Sequence, residues 1–241
     1  MYVPSSMTFR ELTAPLDARP LLEAAWSAEG SPRPTRVLPD GCTDLVFDPR
    51  RGRVSIVGVM TVARVVAPTA SRLFGLRMLP WATRAVLGVA AERLRDRDLA
   101  LADVHPGWFA RVRRVERVED AVEAFAEECV RRGLGRGVDA RVARAAEALG
   151  DPTHICDVAC AARDAGVSER QLHRVFLDHI GVAPKVYARV VRLRSFVRDR
   201  SSTTLAEAAG AAGYADQSHL CREVRALTGV SPRALRRALA E

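Results

Sequence analysis

The chain has 241 residues, 48% hydrophobic and 27% charged, a balance that fits a soluble globular protein of one large or two small domains and excludes disorder and collagen-like structure. The most apolar stretch, VSIVGVMTVARVVAP, is interrupted by Arg64 and falls short of the roughly 18 uncharged residues of a membrane span. A net charge of +8, from 37 basic and 29 acidic residues, invites a polyanionic partner.

In chain order, MYVPSSMTFRELTAP has neither a basic start nor an apolar run, so a secretory signal is not expected and a cytoplasmic location is. Nine of the thirteen prolines fall in the first eighty residues, which disfavours long helices there. Pro39-Asp40-Gly41 is a turn between two apolar runs, and RVSIVGVM and RLFGLRMLP read as strands. PLLEAAWSAEG is the exception, with Leu21, Leu22, Ala25 and Trp26 on one helical face. After Pro80, WATRAVLGVAAERLRD reads as an amphipathic helix and LALADVHPGWF as a connector. ARVRRVERVEDAVEAFAEECVRRG then repeats Val112, Val115, Val118, Val122, Phe125 and Cys129 at helical spacing. Its stripe suits dimerisation, interdomain packing or plain core burial. Gly133, Gly135 and Gly137 form a hinge-like linker, and the remainder reads as helix.

The last hundred residues contain a repeat. Val158, Ala159, Ala162 and Gly166 recur as Leu205, Ala206, Ala209 and Gly213, at an offset of 47. Leu172, Arg174, Gly181 and Pro184 recur as Leu220, Arg222, Gly229 and Pro232, at an offset of 48. Each copy reads as a short Ala-rich helix, a Gly turn and a second helix capped by Ser168 or Asp216. That second helix buries Leu172 and Phe176, or Leu220 and Val224. Its outer face offers Arg170, Gln171, His173 and Arg174, or Gln217, Ser218, His219, Cys221 and Arg222. This is a helix-turn-helix, used twice. The intervening KVYARVVRLRSFVRDR is a helix of about 16 residues, roughly 24 Å long, able to hold two recognition helices about one DNA turn apart, roughly 34 Å. Charge follows the same plan. Residues 168–200 hold eight basic and three acidic residues, and residues 217–241 five and two.

On AGVSERQLHRVF…GVAPKVYARVVRLR and AGYADQSHLCREV…GVSPRALRR, residues from about Val138 to Arg237 resemble the AraC/XylS family of bacterial transcription regulators. The resemblance implies seven helices, with the second helix of each motif in a major groove of double-stranded DNA. Arg170, Gln171, His173, Arg174, Gln217, Ser218, His219 and Arg222 would then face bases or backbone. Arg reads guanine and Gln reads adenine bidentately. Ser168, Lys185, Arg189 and Arg192, and further along the linker Arg194 and Arg198, would position phosphates. Val224 and Leu235 depart from the family, which usually carries an aromatic residue and a Tyr there. RVLPDGCTDLVFD, LFGLRMLP and LGV…LRDRDLALADV resemble a poorly characterised sensor domain found before such DNA-binding regions. The fold expected is therefore α+β. Residues 1–137 form a sensor or dimerisation domain, β-rich and cupin-like over about 1–80 and helical over about 81–132. Residues 138–241 form the all-α double helix-turn-helix domain. Trp26, Arg77 and Trp81 are candidates for an effector pocket. RNA polymerase, a small-molecule effector and a second copy of the chain are the further partners this implies.

Other chemistry is sparse. Five scattered cysteines, Cys42, Cys129, Cys156, Cys160 and Cys221, read as reduced thiols. Cys42 stands between Asp40 and Asp44, whose charge suppresses a thiolate. His154, Cys156 and Cys160 suggest metal spacing but lack a fourth ligand nearby, so no metal or cofactor is expected. Phosphate-loop, dinucleotide, nucleophile-elbow and HExxH motifs are absent from the sequence, and no enzymatic activity is expected. Two alternatives stay open at this point. One is a ligand-independent architectural DNA binder. The other is a DNA-repair methyltransferase, which would need more front-half cysteines than Cys42 and Cys129.

Overall fold

The computed structural model describes residues 9–13, 20–134, 137–151, 156–199 and 201–240. Eight strands come first: β1 (Phe9–Thr13), β2 (Leu22–Ala28), β3 (Thr35–Val37), β4 (Asp44–Asp48), β5 (Arg53–Val57), β6 (Arg64–Val66), β7 (Leu73–Met78) and β8 (Asp98–Ala100). Six of them form an antiparallel sheet in the order β1-β2-β7-β4-β5-β8, and β3 and β6 form a separate antiparallel ribbon.

Strand alternation sorts the large sheet into two faces. Leu45, Phe47, Ile56, Phe74 and Leu76 point to one side, where Phe47 and Phe74 stack at 4.9 Å. Four helices cover that side: α1 (Thr83–Leu87), α2 (Leu101–Val104), α3 (Pro106–Val112) and α4 (Val118–Arg132). They contribute Leu87, Leu101, Trp108 and Phe125 to the same core. Trp26, Ala28, Val46 and Leu73 point the other way. They face the ribbon across a cavity of about 270 Å³, also lined by Val37 and Val66. The mixed α+β class expected from the sequence is the one observed.

Three local expectations need correction. PLLEAAWSAEG contains strand β2, not a helical face. It runs between β1 and β7 with Ala24, Ala25 and Trp26 all buried, so burial on both faces erases the period-two signal. Gly75 on β7 makes room for the indole, since a Cβ there would lie 2.5 Å from Trp26 Cζ2. WATRAVLGVAAERLRD is not one helix. α1 stops at Gly88, which is left-handed at φ 71°, and a 3-10 turn follows over Ala91–Arg93. The long helix over 110–133 breaks between Val112 and Val118, where Arg117 is extended. Of the three uses open to its stripe, core burial is what is seen: Val118, Phe125 and Cys129 pack into the front core.

Seven helices occupy the described residues from 140 onward: α5 (Ala140–Gly150), α6 (Val158–Asp164), α7 (Glu169–His179), α8 (Pro184–Arg198), α9 (Leu205–Ala211), α10 (Gln217–Thr228) and α11 (Pro232–Ala240). They build two cores. Leu172 and Phe176 centre the first, Leu220 and Val224 the second. Both cores borrow from the front half, Val59 and Trp81 for the first, Leu38 and Ala63 for the second.

Candidate nucleic-acid interface

The repeat in the sequence is a repeat of hydrogen bonds. In the first copy α6 starts at Asp157, whose carboxylate accepts from Cys160 N, and Gly166 turns the chain at φ 67°. Val167 N donates to Ala162 O at 3.0 Å. In the second copy Gly213 turns at φ 75°, and Tyr214 N donates to Ala209 O at 2.8 Å. Left-handed backbone at both turns favours glycine. Ser168 caps α7 and Asp216 caps α10, as their residue types predict. Buried Ala161 and Ala162, and Ala208 and Ala209, let the paired helices approach closely.

The buried face of each second helix is fixed by its apolar residues. Leu172, Phe176, Leu220 and Val224 are all fully buried, and Phe176 meets Tyr187 of α8 edge-on at 5.8 Å. Truncating a buried Leu or Phe of this kind to Ala costs about 2–5 kcal/mol. Val224 and Leu235, smaller than the family's usual residues, are buried with Phe196 and Tyr214. Arg236 lies over the Phe196 ring at 5.0 Å, so that end is closed.

Opposite those faces, Arg170, His173 and Arg174 on α7 and Gln217, Ser218 and Arg222 on α10 are exposed. Arg170, Arg174 and Arg222 form no ion pair among the described residues. Two expected readers have internal work. Gln171 accepts from Ser168 N through Oε1 and completes the α7 capping box. His219 accepts from Ala215 N at Nδ1 (3.3 Å) and packs edge-on against Tyr214. The Ser168 hydroxyl also belongs to the cap.

Helix α8 has 15 residues, about 22 Å at 1.5 Å per residue. Its arginines are mostly engaged. Arg189 binds Glu223 of α10 at 2.6 Å and so ties the linker to the second recognition helix. Arg194 and Arg198 both pair with Glu23 of β2. Burial, then the neighbouring Arg198, lowers the Arg194 pKa to about 10. Lys185 is exposed, and the Arg192 stem passes close to Gly213.

Sequence reasoning missed how the front half grips this unit. At the end of α7, a Cβ on Gly181 would lie 2.8 Å from Ala91 O, and Arg84 pairs with Asp178 at 2.9 Å. At the end of α10, Arg36 Nη1 donates to Thr228 O at 2.7 Å, and Ala63 N donates to Leu227 O at 2.7 Å. Gly181 and Gly229 are equivalent in the repeat, so the front half holds matching corners of both motifs. Between them, Gly41 abuts Tyr187. These grips hold C-terminal ends, whose last carbonyls lack helical partners, and leave the N-terminal halves of α7 and α10 outward. Nothing local in the sequence distinguishes Arg36 or Arg84 from the other arginines.

Trp26, Arg77 and Trp81 do not share one pocket. Trp26 lines the 270 Å³ cavity between sheet and ribbon and donates its indole N–H to Asp44 at 2.7 Å. Arg77 borders a cleft of about 110 Å³ toward α8. Trp81 borders a separate cleft of about 550 Å³ between the front half and α8. Cys42 is buried and its Sγ–H points to Glu23 Oε2 at 3.0 Å. Burial first, and the Asp40 charge second, push its thiol well above the ordinary range, which disfavours the thiolate. His154 lies outside the described residues.

Residues 161–238 match the family described as a helix-turn-helix domain, and residues 10–100 match a domain of unknown function, DUF6597. No curated protein matches the sequence. Among solved structures, ToxT from Vibrio cholerae is similar at 10% identity and a TM-score of 0.47, over 98% of each chain. A second ToxT structure, from Vibrio cholerae O395, is 9% identical over 99% of this chain and 96% of that one, with a TM-score of 0.44. Wild-type ToxT with an unsaturated fatty acid bound is 11% identical over 98% and 96%, with a TM-score of 0.40. Among the described residues, no helix is long and apolar enough to cross a membrane. With the repeat, its two exposed cationic faces and the matched domains in view, residues 161–238 form an AraC-type helix-turn-helix domain, a DNA-binding unit, and a DUF6597 domain lies ahead of it over residues 10–100.

Proposed function

We propose that residues 138–241 read a specific sequence in two adjacent major-groove segments, and that residues 1–137 regulate this reading. One observation carries the proposal: two equivalent helices present Arg170 and Arg174, and Arg222 with Gln217 and Ser218, with none of the three arginines engaged in an ion pair within the described chain. Arg170, Arg174 and Arg222 are the guanine readers and Gln217 the adenine reader. His173 and His219 Nε2 add weaker contacts. Gln171 and Ser168 act mainly through the cap, Lys185 and Arg192 face phosphates, and Arg189 sets the linker.

Regulation enters through the grips. Because one body holds equivalent corners of both motifs, a shift in that body changes the spacing of the two reading heads. The effector is a small, largely apolar molecule entering the cavity beside Trp26 and Val46, and RNA polymerase or a second copy of the chain receives the outcome. The protein acts by binding, without catalysis. Hydroxyl-radical footprinting on a selected fragment tests the reading. Two protected segments about one helical turn apart are expected. One uninterrupted patch that follows no sequence would overturn it and favour an architectural binder.

A further inference from the structure

Cys156, Cys160 and Asp164 recur every four residues, so α6 and the residues just before it place them along one face. Their two Sγ atoms and a carboxylate oxygen all lie within 4.8 Å of one another, and Cys160 Sγ is 3.7 Å from Asp164 Oδ2. Zinc–sulfur bonds of about 2.3 Å in a tetrahedron put neighbouring ligand atoms about 3.8 Å apart. Small side-chain rotations therefore close the set. The spacing of the cysteines alone does not show this third ligand.

The second copy of the repeat shows what these positions do when they are purely structural. Thr203 and Glu207 stand at the equivalents of Cys156 and Cys160. There Glu207 accepts from Thr203 N and Thr204 N and locks the start of α9. Cysteine cannot supply that carboxylate, and Asp157 alone caps α6. Neither thiol is fully buried: both are half-buried, Cys156 at the edge of the first core, while α6 itself is buried through Ala161 and Ala162. Cys156 further lines a cleft of about 170 Å³ with Asp157, Arg192 and Gly213, which provides a path of entry and room for a fourth ligand.

We propose that Cys156, Cys160 and Asp164 form a site for a thiophilic divalent cation of the zinc class. Two sulfurs and one oxygen suit a borderline-soft ion over Mg²⁺ or Ca²⁺. The fourth position opens on the cleft. Binding displaces the thiol protons and ties residue 156 to the last turn of α6, stiffening the first helix-turn-helix.

The test is Co²⁺ titration of the reduced, chelator-treated full chain, a readout independent of DNA. Expected is saturation at one ion per chain, a thiolate-to-cobalt charge-transfer band and the strong visible bands of a tetrahedral site, all bleached by Zn²⁺. Zn²⁺ also raises the unfolding midpoint of the wild type. The Cys156→Ser/Cys160→Ser double variant loses the band, and Asp164→Asn weakens binding at least about tenfold. Cys221→Ser binds as wild type. Asp164 is exposed, so its variant tests the site without disturbing the core. A wild-type spectrum without charge transfer, or one that survives the double variant, overturns the proposal. So does a Cys156–Cys160 disulfide formed with peroxide in a chain whose reduced form takes up no Co²⁺.

Discussion

Arg77 is 2% exposed and lies between two buried carboxylates, 3.2 Å from Asp40 and 3.6 Å from Asp44. Arg77→Met keeps the stem and removes the charge. Asp40 and Asp44, themselves 7% and 3% exposed, would be left without their central cation. Breaking a buried pair from one side costs about 3–5 kcal/mol, a large share of the roughly 5–15 kcal/mol that holds a domain folded. The pH dependence has a definite sign. In the wild type, burial raises the Asp44 pKa against the pull of Arg77. For Asp40, burial is outweighed by nearby positive charge, Arg77 included, and its pKa is lowered. Without Arg77 the Asp44 pKa rises further above the unfolded value near 3.9, and that of Asp40 rises from its lowered value. A raised carboxylate penalises the fold above its native pKa, and the penalty fades as pH falls through that value. The loss is therefore greatest near pH 8 and smaller near pH 5. Urea unfolding followed by tryptophan fluorescence at both pH values measures it. Arg84→Ala is the control, because the Arg84–Asp178 pair is 41% and 37% exposed and is worth at most about 1 kcal/mol. An Arg77→Met chain within about 1 kcal/mol of wild type at pH 8, or a loss that grows toward pH 5, would refute the reasoning.

Three other outcomes are expected. Gly75→Ala drives a methyl into the Trp26 ring and to 2.8 Å from Leu45 O. It should cost about 1–3 kcal/mol, read as a fall in unfolding midpoint with altered tryptophan emission; an unchanged midpoint would place the indole elsewhere. Ser168→Ala should cost about 1 kcal/mol through the lost α7 cap while leaving the preferred DNA sequence unchanged, and a changed sequence would make Ser168 a reader. Arg36→Ala removes the guanidinium from Thr228 O. Hydrogen exchange at the C-terminal end of α10 should speed up while the end of α7 keeps its rate, and equal acceleration at both ends would show that the two grips are not separate.

How much was legible depended on how local each signal is. The double helix-turn-helix could be read because its determinants are close in sequence: glycines at left-handed turns, Ser168 and Asp216 at caps, Leu172 and Leu220 four residues into their helices. The Pro39-Asp40-Gly41 turn is local too, with Asp40 accepting from Cys42 N and Gly41 at φ 84°. Strand β2 was read as helix because a strand buried on both faces loses its alternation, and Ala24-Ala25 carries no β-branched cue. The helix proposed over 81–96 overlooked Gly88 as a stop. Residue type marked Gln171 and Arg189 for DNA, but their partners Ser168 and Glu223 show internal roles. Glu223 lies 34 residues from Arg189 and Thr228 lies 192 from Arg36. Pairings that distant leave no trace in a single sequence.

The most direct test of DNA reading is selection of bound sequences from a random pool by the full chain at about 150 mM salt, where non-specific binding is weak, beside Arg174→Ala and Arg222→Ala. Two half-elements about 10 base pairs apart are expected, with Arg174→Ala erasing preference in one and Arg222→Ala in the other. A single half-element, or a wild type that binds every sequence alike with a steep salt dependence that neither variant changes, would contradict reading by both helices.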